Sequence, residues 1–125
     1  MKEYFELERV KEVIIGITKS KGLSIDETQE ILDSNYKKNW DNRLHNYCAK
    51  MVNCIKLFEY AAKENDINAQ KAFLMRAELV AHRLYNFFED ISDDLKRIVF
   101  SEDFDFPKLP EGYEVPEKYF HEKSD

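Results

Sequence analysis

The chain has 125 residues, of which 43% are hydrophobic and 35% charged, with three glycines and three prolines. This length and composition predict one small domain and exclude a disordered or fibrous protein. Because the sequence has no run of eighteen apolar residues and no basic-then-apolar leader, we expect a cytoplasmic protein without a membrane segment.

The formal charge of −6 is concentrated at the C-terminus. Residues 101–125 carry eight acidic side chains against three lysines, whereas residues 1–100 carry seventeen acids against sixteen cations. A nearly neutral body lacks the basic face that captures nucleic acid, so we do not expect a nucleic-acid partner. We therefore divide the chain into a helical domain, residues 1–100, and an acidic tail, residues 101–125.

The first third of the chain carries signals for two helices. Apolar residues at spacings of three and four predict a helix from Glu3 to Ser20. Gly22 suits the left-handed position that follows a helix C-terminus. Ser24 and Glu27 have the spacing of a capping box, which predicts a second helix from there to about Asp33.

Two long amphipathic segments follow, from Asn35 to Glu64 and from Ala69 to Phe100. A helix of thirty residues is about 45 Å long and needs a partner to cover its apolar stripe. The short polar stretch between them predicts a turn, so we expect a long antiparallel helical hairpin with the first two helices packed across it. The fold class is thus all-α, a small helical bundle. Apolar residues such as Met75 and Leu79 fall off the stripe, which leaves a homodimer open as an alternative.

The segment RAELVAH, residues 76–82, resembles the motif of HEPN-type ribonucleases, in which four to six residues lie between an arginine and a histidine. The resemblance implies that Arg76 and His82 bind and cleave RNA, with the pair doubled across a dimer. The family has a polar residue after the arginine, where this chain has Ala77. The alternative is that both are ordinary surface residues of a long helix.

Other marked chemistries are missing from the sequence. The three glycines are too dispersed for a phosphate-binding loop, and no serine or cysteine has a histidine in a recognisable nucleophile context. The histidines, cysteines and carboxylates show no convergent ligand spacing. We therefore predict no metal and no cofactor, and favour a protein that is not an enzyme.

The tail begins SEDFDFPKLPEGYEVPEKYF, residues 101–120, and contains all three prolines. Prolines exclude a continuous helix, so we predict an extended strap. In an extended chain, Asp103-Phe104-Asp105-Phe106 would direct both rings to one side and both carboxylates to the other. The rings of the strap could fill grooves of the chain's own bundle, or they could dock on a partner; both alternatives remain open.

The function that we predict is protein binding, with a partner that presents a basic surface. Aromatic rings supply binding energy in such interfaces, and acidic charge steers association. The predicted contact residues are Asp103, Phe104, Asp105, Phe106, Glu111, Tyr113 and Glu114 in the strap, with Met75 and Leu79 on the fourth helix. Fourteen lysines against five arginines suggest an AT-rich genome. Acidity and origin together suggest an inhibitor or immunity factor, such as a phage or plasmid anti-defence protein that blocks a nucleic-acid-handling enzyme.

Overall fold

The computed structural model describes residues 6–120, which form four α-helices followed by two short 3₁₀ turns. The helices are α1 (Leu7–Ser20), α2 (Ile25–Ile31), α3 (Trp40–Lys63) and α4 (Ile67–Phe100). Helices α3 and α4 pack against each other as an antiparallel hairpin, while α1 contacts α3 and α2. The described residues contain no β-strand. The predicted all-α bundle on a long hairpin is confirmed; the part of the first helix predicted before Glu6 lies outside the described residues.

Local sequence signals place the helix ends in the first part of the chain. The Ser24 hydroxyl accepts from the Glu27 backbone N–H at 3.1 Å, and the Glu27 carboxylate accepts from the Ser24 N–H at 2.8 Å. Gly22 has a φ of +83°, in the left-handed region that a residue without a Cβ enters at little cost. The predicted capping box and left-handed glycine are therefore confirmed.

Helix α3 begins at Trp40, five residues later than predicted. The residues before it form a turn, and the side chain of Asn39 caps the helix by accepting from the Asn42 N–H at 2.8 Å. A second acceptor comes from α1, since Glu8 Oε2 accepts from the Trp40 N–H at 2.6 Å. Acceptors from Asn39 and Glu8 thus satisfy backbone donors in the first turn of α3 and fix its start at Trp40.

The N-termini of α1 and α3 satisfy each other's free backbone donors. Asp41, at the start of α3, accepts from the Leu7 N–H at 2.7 Å and from the Glu8 N–H at 3.3 Å at the start of α1. Its negative charge also lies beside the positive end of the α1 dipole, which is a favourable interaction. This reciprocal capping fixes where α1 crosses the hairpin.

The hydrophobic core occupies one end of the hairpin. Trp40 is fully buried at its centre and meets the Phe87 ring edge-on, with ring centroids 6.1 Å apart. The buried members of this core are Ile14, Leu32, Tyr36, Trp40, Phe87, Ile91, Ile98 and Phe104. Leu44, Tyr47 and Leu84 pack at its edge. We call this end the base: α1, α2, the loop to α3, α3 up to Tyr47, and α4 from Leu84 onward.

One buried carboxylate organises the loop between α2 and α3. Asp94, 1% exposed, accepts from the backbone N–H groups of Asp33 and Ser34 at 2.6 and 2.9 Å and from the Tyr36 hydroxyl. Burial, together with the hydrogen bond to Asp94, raises the pKa of Tyr36 well above its usual range. The Tyr36 hydroxyl therefore keeps its proton at neutral pH and donates it to Asp94.

Beyond the base, residues 48–83 form a bare two-helix arm. The residues buried between its helices are small or of modest size: Cys54, Ala61, Ala77 and Val80. Its exposed apolar residues include Val52, Tyr60, Ile67, Leu74, Met75 and Leu79. Helices α1 and α2 thus cover the base and leave the arm without a third layer, which is less coverage than the sequence predicted.

Candidate functional site

The start of the strap is fixed to the base. Phe104 is buried in the core, and Arg97 of α4 binds the Asp103 carboxylate at 3.0 Å. Lys21, after α1, forms an ion pair with Asp105. The buried ring and the two ion pairs therefore set the direction in which the rest of the strap leaves the bundle. Each surface ion pair contributes about 0.2–1 kcal/mol to stability.

The predicted alternation over residues 103–106 is wrong. Glu102–Phe104 is a 3₁₀ turn, capped by the Ser101 hydroxyl, and Asp105 is left-handed with a φ of +63°. As a result Phe104 points into the core, whereas Phe106 is 50% exposed. The cap, the buried ring and the two ion pairs outweigh the extended geometry that the sequence pattern favours.

The rest of the strap lies on the surface. Its backbone turns at Pro110, whose carbonyl accepts from the Tyr113 N–H at 3.0 Å, and Gly112 has a φ of +76° there. Of the five aromatic rings within residues 101–120, Phe104 alone is buried. Phe106, Tyr113, Tyr119 and Phe120 are between 47% and 70% exposed. The alternative in which all five rings fill the bundle's own grooves is therefore wrong for this chain by itself.

An open apolar cleft lies where α4 meets the strap. Its walls are formed by Val99, Phe100, Phe106, Pro107 and Leu109, and it has a volume of about 1080 Å³. We call this the junction cleft. Exposed apolar side chains at a concave surface are typical of protein-binding sites.

A shallow groove along α4 extends the junction cleft through Val99 and Phe100, which belong to both. The groove adds Phe88 and Leu95, which are 43% and 40% exposed although their spacing predicted burial in the hairpin. Both lie beside the face of α4 that buries Phe87, Ile91 and Ile98, so the other helices cover them only in part. The apolar surface therefore runs from the middle of α4 to the strap.

The predicted partner residues divide into three groups. Asp103 and Asp105 are used in ion pairs with the base, and Phe104 in its core. Phe106 faces the junction cleft, and Glu111, Tyr113 and Glu114 are exposed further along the strap. Met75 and Leu79 are also exposed, but Leu79 precedes Phe100 by 21 residues of continuous helix, which is about 31 Å. The structure thus uses three of the seven strap residues in the base, leaves four of them exposed, and places the other two on the arm.

Arg76 and His82 do not converge within one chain. Six residues of helix separate them, so their side chains leave α4 about 120° apart and about 9 Å apart along its axis. Arg76 lies over the Phe73 ring at 5.5 Å, and the His82 ring stacks on that of Tyr85 with centroids 5.9 Å apart. The ribonuclease role of this pair remains a prediction that would require a second copy of the chain.

Residues 6–120 contain neither a metal-binding cluster nor a helix that could cross a membrane. No group of three or more His, Cys, Asp or Glu side chains in that range is placed to hold a metal ion. Each of its helices is either too short or too polar to span a bilayer. The two cysteines are free, with Cys54 buried between the helices of the arm and Cys48 exposed.

Sequence reasoning missed two surfaces. The junction cleft uses Val99, Phe100 and Leu109, which share no single helical period because the chain turns between them. A second groove, on the arm, is lined by Lys50, Arg76 and Arg83. The spacing of seven residues between Arg76 and Arg83, which places them on one side of a helix, was the available signal for it.

Comparison with known proteins gives no relative: no protein-family model, no curated protein and no solved structure matches this chain.

Proposed function

We propose that this protein is not an enzyme and acts by binding another protein through its strap and the junction cleft. The observation that carries the proposal is an anchored strap with exposed rings. Its start is fixed by Phe104, Asp103 and Asp105, yet Phe106 and Tyr113 remain half exposed beside an open apolar cleft. Large apolar rings that are exposed together beside an apolar cleft are typical of a surface that a partner covers.

Preorganisation supports the proposal further. A strap held at its start, and turned at Pro110 to Tyr113, loses less conformational entropy on binding than a free peptide does. Phe and Tyr side chains are large and have few rotatable bonds, which makes them effective anchors in a partner's pockets. The strap is therefore suited to insertion into a groove of a partner.

The charge of the strap favours a partner with a basic surface. Residues 101–120 hold six carboxylates against two lysines, and Glu111 and Glu114 are exposed on either side of Tyr113. Opposite charge on the partner would steer association and select against acidic proteins. The basic channel of a nucleic-acid-handling enzyme is one such surface, so the finer proposal is an inhibitor or immunity factor, including an anti-defence protein of a phage or plasmid.

The test compares capture of proteins from a low-GC bacterial lysate by the full chain and by two strap variants. One variant replaces cleft residues (Phe106→Ser with Leu109→Ser), and the other removes charge (Glu111→Gln with Glu114→Gln). Both change exposed positions only, so the core anchored by Phe104 stays intact. Retained protein and retained RNA are both identified.

The matched control is Val13→Ser, which removes an apolar side chain that is 63% exposed on α1, away from the strap. We expect one protein to be enriched by the full chain and by the control, and lost or strongly reduced with the cleft variant. The charge variant should weaken capture mainly at low salt, since steering is screened. Equal capture by all four chains would contradict the proposal. RNA that is retained and shortened would favour the ribonuclease alternative that uses Arg76 and His82.

A further inference from the structure

The charges of the hairpin and strap are segregated along the molecule. The arm, residues 48–83, carries six cations against four acids, a net charge of +2. Residues 84–120 carry four cations against ten acids, a net charge of −6. Residues 84–100 contribute −2 of this charge and residues 101–120 contribute −4, so the positive arm is followed by a negative end whose charge lies mainly in the strap.

The positive charge of the arm is focused on one groove between α3 and α4. Lys50, Arg76 and Arg83 line it, and Cys54, Leu79 and Val80 form its apolar floor. We call this the basic groove. Leu79 is 54% exposed, so the groove offers apolar contact as well as charge. Its chemistry is complementary to that of the strap, which alternates exposed rings with carboxylates.

The basic groove and the start of the strap lie on the same side of α4. Arg83 lies about 20° from Arg76 around the helix, and Arg97 lies about 40° further in the same direction. Arg97 binds Asp103 at the start of the strap. About 21 Å of rigid helix separates Arg83 from Arg97, so the two features lie within about 60° of each other around α4, at two heights.

We propose that the basic groove receives the strap of a second copy of this chain, in a reciprocal antiparallel dimer. A two-fold axis crossing α4 between the two features places the groove of each copy opposite the strap of the other, so both contacts form at once. Glu111 and Glu114 meet Arg76 and Arg83, and Tyr113 covers the exposed Leu79. Within one chain, Glu111, Tyr113 and Glu114 are exposed and do not line this groove.

The test is a charge exchange read by sedimentation equilibrium over a range of protein concentrations. The first variant carries Arg76→Glu and Arg83→Glu, and the second carries Glu111→Lys and Glu114→Lys. Each variant alone should have a dimer dissociation constant at least about tenfold higher than the unaltered chain. Mixing the two should restore dimers, because in the mixed dimer one contact has exchanged charges and the other has the original ones. The unaltered dimer should weaken when salt is raised from ~0.05 M to ~0.5 M.

The matched control is Lys56→Glu with Lys71→Glu, the same charge change on exposed cations of the arm that do not line the basic groove. It should dimerise like the unaltered chain. A chain that stays monomeric at all concentrations, or a dimer that neither variant weakens, would overturn the inference, as would failure of the mixture to recover. Such a failure leaves the proposed function standing, because that proposal is judged by the cleft variant and by a different partner.

Discussion

The base and the arm use the same hairpin in opposite ways. In the base, Trp40, Phe87 and Ile98 meet residues from α1 and α2, and no ring in this core is more than a few per cent exposed. In the arm, Ala61 and Ala77 let the two helices approach closely, while larger apolar residues such as Met75 point outward. The base is thus covered by α1 and α2, whereas the arm lacks this third layer and keeps apolar side chains exposed.

This difference indicates which part of the molecule determines its stability. A pair of helices gains little stability from helix propensity and depends on packing against other elements. The arm lacks such packing, so its stability depends on its continuity with the base. The base also contains the buried acceptor Asp94, which fixes the loop of Asp33 and Ser34 in one arrangement. We therefore expect substitutions in the base to change global stability and substitutions in the arm to change local opening or association.

The largest effect is expected from Asp94→Ala. It leaves the N–H groups of Asp33 and Ser34 and the hydroxyl of Tyr36 without their acceptor in a buried site, so the free energy of unfolding should fall by about 3 kcal/mol or more. Urea denaturation followed by circular dichroism measures this. The control is Asp93→Ala, its exposed neighbour, for which we expect a change within about 0.5 kcal/mol. Equal losses for the two variants would mean that the network around Asp94 does not hold the base together.

A pair of core truncations tests the base against the arm directly. Ile98→Ala removes a side chain that is 2% exposed in the three-layered base, which should cost about 3 kcal/mol. Val80→Ala removes a less buried one between two helices that can relax toward each other, so it should cost about 1.5 kcal/mol or less. Urea denaturation gives both values, and native-state hydrogen exchange should show arm amides opening at lower free energy than base amides. Uniform protection along α4 would contradict a separate arm.

The hairpin could be predicted from sequence because its periodicity is long and its turn is short. Ser24 with Glu27, and Gly22, are local signals whose partners lie within a few residues, so they too were readable. The start of α3 was misplaced because its second capping acceptor, Glu8, is 32 residues distant in the chain. A capping contact of that range depends on how α1 crosses the hairpin, which no local pattern specifies.

The candidate site was only partly readable for the same reason. Alternation of rings and acids predicted an extended strap, but Arg97 and Lys21 take up Asp103 and Asp105, and the core takes up Phe104. The positions of Asp103, Phe104 and Asp105 thus depend on contacts in the tertiary structure, which the local sequence does not specify. The composition of the strap did indicate that rings and carboxylates would be presented together, and the structure places Phe106, Tyr113 and Glu114 at the surface.

The smallest expected effect comes from Asp90 on α4, in the base. Partial burial raises its pKa, and the nearby carboxylates of Asp33, Asp94 and Asp93 raise it further. Between the usual aspartate value of about 3.9 and its raised value, the folded chain binds more protons at this site than the unfolded chain does. Stability therefore falls as pH rises through that window, and the charged form of Asp90 is a net cost at neutral pH.

Asp90→Asn should remove that cost and raise the free energy of unfolding at pH 7 by about 0.5 kcal/mol, a discounted figure for a site that solvent still reaches. Below about pH 3 the gain should vanish, because the aspartate is then mostly protonated in both states. Urea denaturation at the two pH values separates this electrostatic effect from any change in packing, which would persist in acid. Asp93→Asn makes the same charge change at an exposed position and should gain less. If Asp90→Asn destabilised the chain at neutral pH, the Asp90 carboxylate would instead stabilise the base. The cluster of carboxylates around Asp94 would then contribute to stability and would not be a cost.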